Sequence, residues 1–151
     1  MNLDKPIYSL VIPVYNEQSG IEELLERILF IIRDKPIELL VVDDGSNDKT
    51  PKILEKYAQA KKIKLVLHSK NQGYGKALKS GIHQAGGEKI IIMDGDGSYP
   101  PEEIFKLIEK ANQAEMVVGK RKTRAGPEPI LRRIFKWLIV FLVRYLAGFE
   151  V

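Results

Sequence analysis

Asp94 and Asp96 stand one residue apart, directly after the apolar run Ile90-Ile91-Ile92-Met93. Carboxylates so close together could both reach one divalent cation, and that cation could hold a diphosphate. A second acidic pair, Asp43 and Asp44, follows another apolar run, Leu39-Leu40-Val41-Val42. A lone Asp-x-Asp is usually a surface turn, because Asp and Gly favour turns. Here the buried-strand character of the preceding run and the second acidic cluster argue for a site that handles a nucleotide with a metal.

Other segments extend that chemistry. Asp43-Asp44-Gly45-Ser46-Asn47-Asp48-Lys49-Thr50 leads from a strand to a helix. An acid at such a strand end can accept hydrogen bonds from a ribose or base. Asp48 and Thr50 suit helix capping, but two acids at the strand end exceed what capping needs. In Asn71-Gln72-Gly73-Tyr74-Gly75-Lys76 the glycines allow close backbone approach, and Lys76 could meet phosphate. Ile12-Pro13-Val14-Tyr15-Asn16-Glu17 ends a strand in groups that could frame a base and ribose. His68 and His83 are far apart, without Cys or Ser partners that would make a triad, and read as structural or solvent-facing. Tyr57, Phe30 and Phe105 fall at helical spacing and read as core. Asp94-Gly95-Asp96-Gly97-Ser98 is not a calcium loop, since its sixth position is Tyr99 and its twelfth Phe105 rather than Gly and Glu. Nor is it the aspartyl-nucleophile loop of haloacid-dehalogenase-like phosphatases, which follows the first strand, not the fourth.

The elements that must position these residues alternate. Residues 8–14, 38–42, 63–67, 89–93 and 115–119 read as strands. Ile21, Leu24, Leu25, Ile28, Leu29 and Ile32 repeat at helical spacing. Thr50 and Pro51 read as N-cap and first residue of a second helix that turns Ile53, Leu54, Tyr57 and Ala58 inward. A third helix over 75–84 should end at Gly86-Gly87. A fourth starts at Pro100-Pro101-Glu102-Glu103, with acids in its first turn. Repeated strand–helix units imply an α/β fold with a mainly parallel sheet between helices, and ligands then bind beyond the carboxyl ends of the strands.

With 151 residues, one domain is expected. A 44% hydrophobic, 29% charged composition buries a core and excludes a disordered chain. There are no cysteines, so neither a disulfide nor a thiolate metal site is possible, which fits a reducing compartment. No secretory signal opens the chain, and no apolar run approaches the roughly 20 residues needed to span a bilayer. The formal charge of +4 is unevenly placed: Lys120, Arg121, Lys122, Arg124, Arg132, Arg133 and Lys136 crowd the last third. Such a patch recruits an anionic partner. Residues 130–146 read as one helix with Arg132, Arg133, Lys136 and Arg144 within an arc of about 120°, a wide apolar face and Trp137 at the border. This reads as a helix lying in a membrane interface, the alternative being a helix packed on the domain with its cations solvated. The division is therefore 1–125, a nucleotide-binding domain, and 126–151, a basic amphipathic segment. Nucleic acid is not the expected partner, because the patch lacks interleaved exposed aromatics for base stacking.

Taken together, these motifs resemble glycosyltransferase family 2, with its Rossmann-like GT-A fold. The resemblance is carried by Val11-Ile12-Pro13-Val14-Tyr15-Asn16-Glu17, by Val41-Val42-Asp43-Asp44-Gly45-Ser46-Asn47-Asp48-Lys49-Thr50, by Asn71-Gln72-Gly73-Tyr74-Gly75-Lys76-Ala77 and by Asp94-Gly95-Asp96. Within the family the chain is most similar to dolichyl- or polyprenyl-phosphate mannosyl- and glucosyltransferases, through Pro100-Pro101-Glu102, Val117-Val118-Gly119-Lys120-Arg121 and Arg132-Arg133. The resemblance implies that Pro13, Tyr15, Glu17, Val42 and Asp44 contact the nucleoside of a GDP- or UDP-sugar. It implies that Asp94, Gly95 and Asp96 hold Mg²⁺ or Mn²⁺ and the sugar diphosphate, with Ser98 where relatives often place a Gln near the metal. Arg121 would approach a donor or acceptor phosphate, and Arg132 or Arg133 the acceptor phosphate. Lys120 replaces the small residue usual before Arg121. The chain stops at Val151, where relatives continue with an Asp…Ser-Gly-Phe-Arg-like segment, and so reads as shortened. The implied activity is inverting, metal-dependent transfer of a hexose, mannose or glucose, to polyprenyl phosphate, peripherally on the cytoplasmic face of a membrane. The alternatives are transfer to a polysaccharide hydroxyl and a non-catalytic nucleotide-sugar-binding or membrane-recruitment module.

Overall fold

A computed structural model describes residues 6–120. The chain order is β1 (Tyr8–Val14), α1 (Ile21–Ile32), β2 (Ile37–Asp43), α2 (Thr50–Gln59), β3 (Lys64–Leu67), α3 (Tyr74–Gln84) and β4 (Lys89–Ile92). A single 3₁₀ turn, Pro101–Glu103, then leads into α4 (Ile104–Lys110). The four strands form one parallel sheet in the order β3-β2-β1-β4. The register sets Val14 of β1 beside Asp43 of β2, and Asp43 beside Leu67 of β3. The carboxyl ends of the three strands are thus level, and the acids that follow them share one rim.

Strand alternation assigns the two faces. Leu10, Ile12 and Val14 of β1 and Leu39 and Val41 of β2 point to one side, where they pack with Leu24, Leu25 and Ile28 of α1 and Leu54 and Tyr57 of α2. Val11, Leu40 and Val42 point to the other side and meet Ala77 of α3. Both faces are covered, as a parallel sheet requires. Each fully buried Leu or Ile contributes about 1.5–3 kcal/mol through the apolar surface removed from water. The approach of α3 depends on Gly81, where an added Cβ would lie 2.4 Å from Val11 Cγ1 and 3.0 Å from Val42 Cγ2. The parallel sheet between helices is the Rossmann-like arrangement expected.

Several expectations need correcting. Residues 115–119 form no strand; Met116 and Val118 are exposed and no ladder supports them. A short apolar run has strand character only where a neighbouring strand accepts it. Among the described residues β4 therefore pairs with β1 alone. Phe30 is 67% exposed, because it sits two residues beyond buried Ile28 and so on the far side of α1. The Arg33 guanidinium lies over its ring at 5.0 Å. Phe105 is half-buried, while Tyr57 is core as expected, its hydroxyl donating to Glu26 Oε1 at 2.6 Å. Thr50 is the first residue of α2 rather than its cap, and Lys49 occupies the cap position. The third helix starts one residue earlier than expected, at Tyr74, and ends at Gln84 as expected, with Ala85 extended before Gly86. Among the described residues, the compact unit holding the site extends to Val117. The expected boundary at 125 and the basic helix of 130–146 lie outside the described residues. No helix among the described residues is long and apolar enough to cross a membrane.

Candidate active site

The loops after β1 and β2 are bound to each other by reciprocal side-chain to backbone hydrogen bonds. The Asn16 amide donates to Ser46 Oγ at 2.8 Å, and Asn16 Oδ1 accepts from the Asn47 amide at 2.8 Å. The Glu17 amide donates to Thr50 Oγ1 at 2.9 Å, and the Gln18 amide to Asp48 Oδ2 at 3.1 Å. Thr50 therefore fastens the neighbouring loop. Asp48 Oδ1 takes the Thr50 amide at 2.8 Å and so does the local capping expected of it. Asn16 reaches this position with φ +57, a left-handed conformation that Asn tolerates better than most residues.

Between these loops and the loop after β4 lies a cleft of about 310 Å³. Pro13, Tyr15, Glu17, Asp44, Asp94, Gly95 and Asp96, all expected in the site, line it. Gly95 is required there by packing: a Cβ would fall 2.4 Å from Val14 Cγ1 and 3.0 Å from the Pro13 carbonyl oxygen. The Asp94-Gly95-Asp96 turn thus rests directly on the end of β1, with Gly95 buried, Asp94 half-buried and Asp96 exposed. The Ser98 amide donates to Asp96 Oδ1 at 2.8 Å. The backbone of Ser98 thereby orients Asp96, and its side chain does not line the cleft.

The two acids after β2 differ from each other. Asp43 accepts from both the amide and the hydroxyl of Ser46, yet burial dominates and raises its carboxyl above the usual range, helped by the charges of Asp48 and Asp44. Asp44 accepts from His68 Nδ1 at 2.6 Å and the Gln72 amide at 3.0 Å on Oδ1, and from the Gly73 amide at 2.7 Å on Oδ2. Burial alone would raise its carboxyl, but these donors together hold it below the ordinary value. Glu17 is raised by burial, with the charges of Asp96 and Asp48 adding to the effect.

Three sequence expectations are not brought to the cleft. Val42 is 0% exposed beneath α3, with no surface left for a ligand. Lys76 is exposed one helical half-turn past Tyr74 and does not line the cleft, and neither does Ser98. Arg121, Arg132 and Arg133 lie outside the described residues. Conversely, Tyr74 and Asn71 line the cleft, and the Tyr74 hydroxyl donates to Asp94 Oδ1 at 3.0 Å. Burial and this bond raise the Tyr74 phenol. The signal for Tyr74 was its place at the start of α3, where a side chain faces back over the strand ends; Lys76, two positions on, points elsewhere.

Among the described residues no group of three or more His, Cys, Asp or Glu gathers as a self-sufficient metal cage. The donor set still fits Mg²⁺ or Mn²⁺. These hard cations take one or two protein carboxylates and complete their shell with substrate phosphates and water. Asp94 and Asp96, both on the cleft wall, offer such a pair. A diphosphate entering a cleft lined by Glu17, Asp44, Asp94 and Asp96 meets strong like-charge repulsion unless a cation accompanies it.

Comparison with known proteins identifies the family. Residues 9–145 match the family Glycosyl transferase family 2, and the chain belongs to that family. It is 38% identical over 144 residues to an undecaprenyl-phosphate 4-deoxy-4-formamido-L-arabinose transferase of Pectobacterium atrosepticum, covering 93% of this chain and 44% of that protein. It is 34% identical to a dolichol-phosphate mannosyltransferase of Pyrococcus furiosus, over 78% of this chain and 34% of that one. The chain thus spans less than half the length of these relatives. A mannosyltransferase of Pyrobaculum calidifontis, solved with GDP-mannose and Mn²⁺, superposes with TM-score 0.57 at 28% identity, over 70% of this chain and 32% of that one.

Proposed function

We propose that this chain is the donor-binding part of an inverting glycosyltransferase that moves a sugar from a nucleotide-sugar to a polyprenyl phosphate. The observation that carries the reading is the single cleft in which Asp44, Asp94 and Asp96 meet at level strand ends. The names of the relatives support the acceptor class, and the Mn²⁺ and GDP-mannose of the solved neighbour support the donor and metal. Pro13, Tyr15, Glu17 and Asp44 frame the nucleoside. Asp94 and Asp96 hold Mg²⁺ or Mn²⁺, which when bound neutralises the diphosphate as a Lewis acid. Arg121 meets the donor or acceptor phosphate and Arg132 or Arg133 the acceptor phosphate, and the basic segment around them places the protein peripherally on a membrane's cytoplasmic face. The sugar is a hexose, mannose or glucose, with the formamido-arabinose of the first relative as the competing donor.

The chemistry needs little from the protein as a base. A phosphate monoester has its second pKa near about 6 and is largely dianionic at neutral pH. Its oxygen attacks the anomeric carbon, the bond from that carbon to the diphosphate breaks, and the nucleoside diphosphate departs with the electron pair. The residues contribute by orienting the donor and by fixing charge where it develops. The test is transfer of labelled sugar from GDP- and UDP-sugars to polyprenyl phosphate in vesicles, with Mn²⁺ or with chelator. Chelator-sensitive product supports the reading. Tight nucleotide binding with no product on any acceptor lipid would turn it into a binding module.

A further inference from the structure

His68 is a buried ionisable side chain that the proposed chemistry leaves unused. Its side chain is 8% exposed and that of Asp44 is 5% exposed. The ring bridges two partners: Nδ1 meets Asp44 Oδ1 at 2.6 Å, and Nε2 meets Ser80 Oγ at 2.9 Å. The His68 amide also donates to the Asp43 carbonyl at 2.9 Å, so the backbone holding the ring is itself fixed to β2. Three elements meet in this chain: the end of β2, the residue after β3, and the interior of α3.

The array has the order Asp–His–Ser of a hydrolase triad, but not its chemistry. Ser80 lies within α3, on a regular helix without a sharp strand-to-helix turn to present it, and the Asp44 carboxylate accepts from the Gln72 and Gly73 amides besides the ring. What the array does is orient. Asp44 accepts only, so a hydrogen on Nδ1 points at it, and Nε2 is left to the Ser80 hydroxyl. With Oδ1 taken by His68 and Gln72, and Oδ2 by Gly73, the carboxylate has a single orientation on the cleft wall, and Oδ2, with one donor, keeps capacity for another hydrogen bond.

We infer that His68, held by Ser80, is a positioning residue that aims the Asp44 carboxylate at the donor's nucleoside. This rests on the reading of Asp44 as a nucleoside contact. A residue acting only as a staple between β3 and α3 would serve equally well through either ring nitrogen. A positioning residue must act through Nδ1.

The two amide replacements separate these roles, because Asn places its N–H where Nδ1 was and Gln places its own where Nε2 was. Binding of GDP and UDP with Mn²⁺ is measured by calorimetry, alongside melting temperatures, for wild type, His68→Asn, His68→Gln, Ser80→Ala and Asp44→Asn. His68→Asn should stay within about three-fold of wild type, while His68→Gln weakens binding about ten-fold or more, the worth of a charge-assisted hydrogen bond. Ser80→Ala, in a helix that favours Ala, should weaken binding about three-fold without unfolding. The ¹⁵N spectrum of wild type should show His68 protonated at Nδ1. Equal weakening by Asn and Gln in step with melting temperature, wild-type binding in His68→Gln, or a proton on Nε2 alone overturns the inference while leaving the donor site standing. Nucleotide binding that survives Asp44→Asn, or a wild type that binds no nucleotide, overturns the donor-site reading and this inference with it.

Discussion

The two acidic pairs look alike in sequence, each two carboxylates after an apolar run, yet the protein treats them oppositely. Asp43 and Asp44 are 2% and 3% exposed and accept hydrogen bonds from the protein's own donors, two on Asp43 Oδ1 and three on Asp44. Asp94 and Asp96 sit on a turn raised onto Val14 by Gly95, and their polar contacts include one hydroxyl and one amide, from Tyr74 and Ser98. A buried carboxylate held by several donors gives shape and a fixed acceptor edge. A carboxylate facing an open cleft keeps lone pairs for a cation. The same residue type is thus held by the protein's own donors at one strand end and, in the proposed function, offered to a cation at the other.

The sharpest way to break the contrast is to remove one acid of each kind. Asp44→Ala strands His68 Nδ1 and the amides of Gln72 and Gly73, and should cost about 3 kcal/mol of stability in urea unfolding. Asp96→Ala should leave stability within about 0.5 kcal/mol yet weaken Mn²⁺-dependent nucleoside diphosphate binding about 100-fold, read by calorimetry. A smaller effect follows at the junction. Gly95→Ala drives a Cβ against Val14 Cγ1 and should cost about 2 kcal/mol in the same unfolding series, while misplacing both metal-side acids.

The smallest effect is one of pH. The Asp44 carboxyl is held below its unfolded value, about 3.9, so its contribution is fully present above that pH and is lost as pH falls through the lower folded value. The acid limb of the stability profile below about pH 4 should therefore flatten in Asp44→Asn. An unchanged limb would show that the donors around Asp44 do not favour its charged form.

Much of this was legible because it is local. β1 falls where a stretch rich in β-branched residues places it, and the cleft falls where level parallel strands must end. What escaped is non-local. His68 joins Asp44 across 24 residues and Ser80 across 12, and no periodicity encodes such a pairing. Tyr74 outranked Lys76 because α3 starts at Tyr74 rather than one residue later. Val42 belongs to a motif that borders the site, but strand alternation turns it under α3. Residues 115–119 carry strand-like residues without a strand beside them to complete a ladder.

The central claim is that Asp94 and Asp96 share one divalent cation that holds the donor's diphosphate. A crystal soaked with Mn²⁺ and a nucleoside diphosphate tests it directly through the anomalous signal of manganese. The account predicts one peak within bonding distance of carboxylate oxygens from both residues and of a phosphate oxygen. Nucleotide bound in the cleft with no manganese beside it, or manganese held away from both acids, would contradict it.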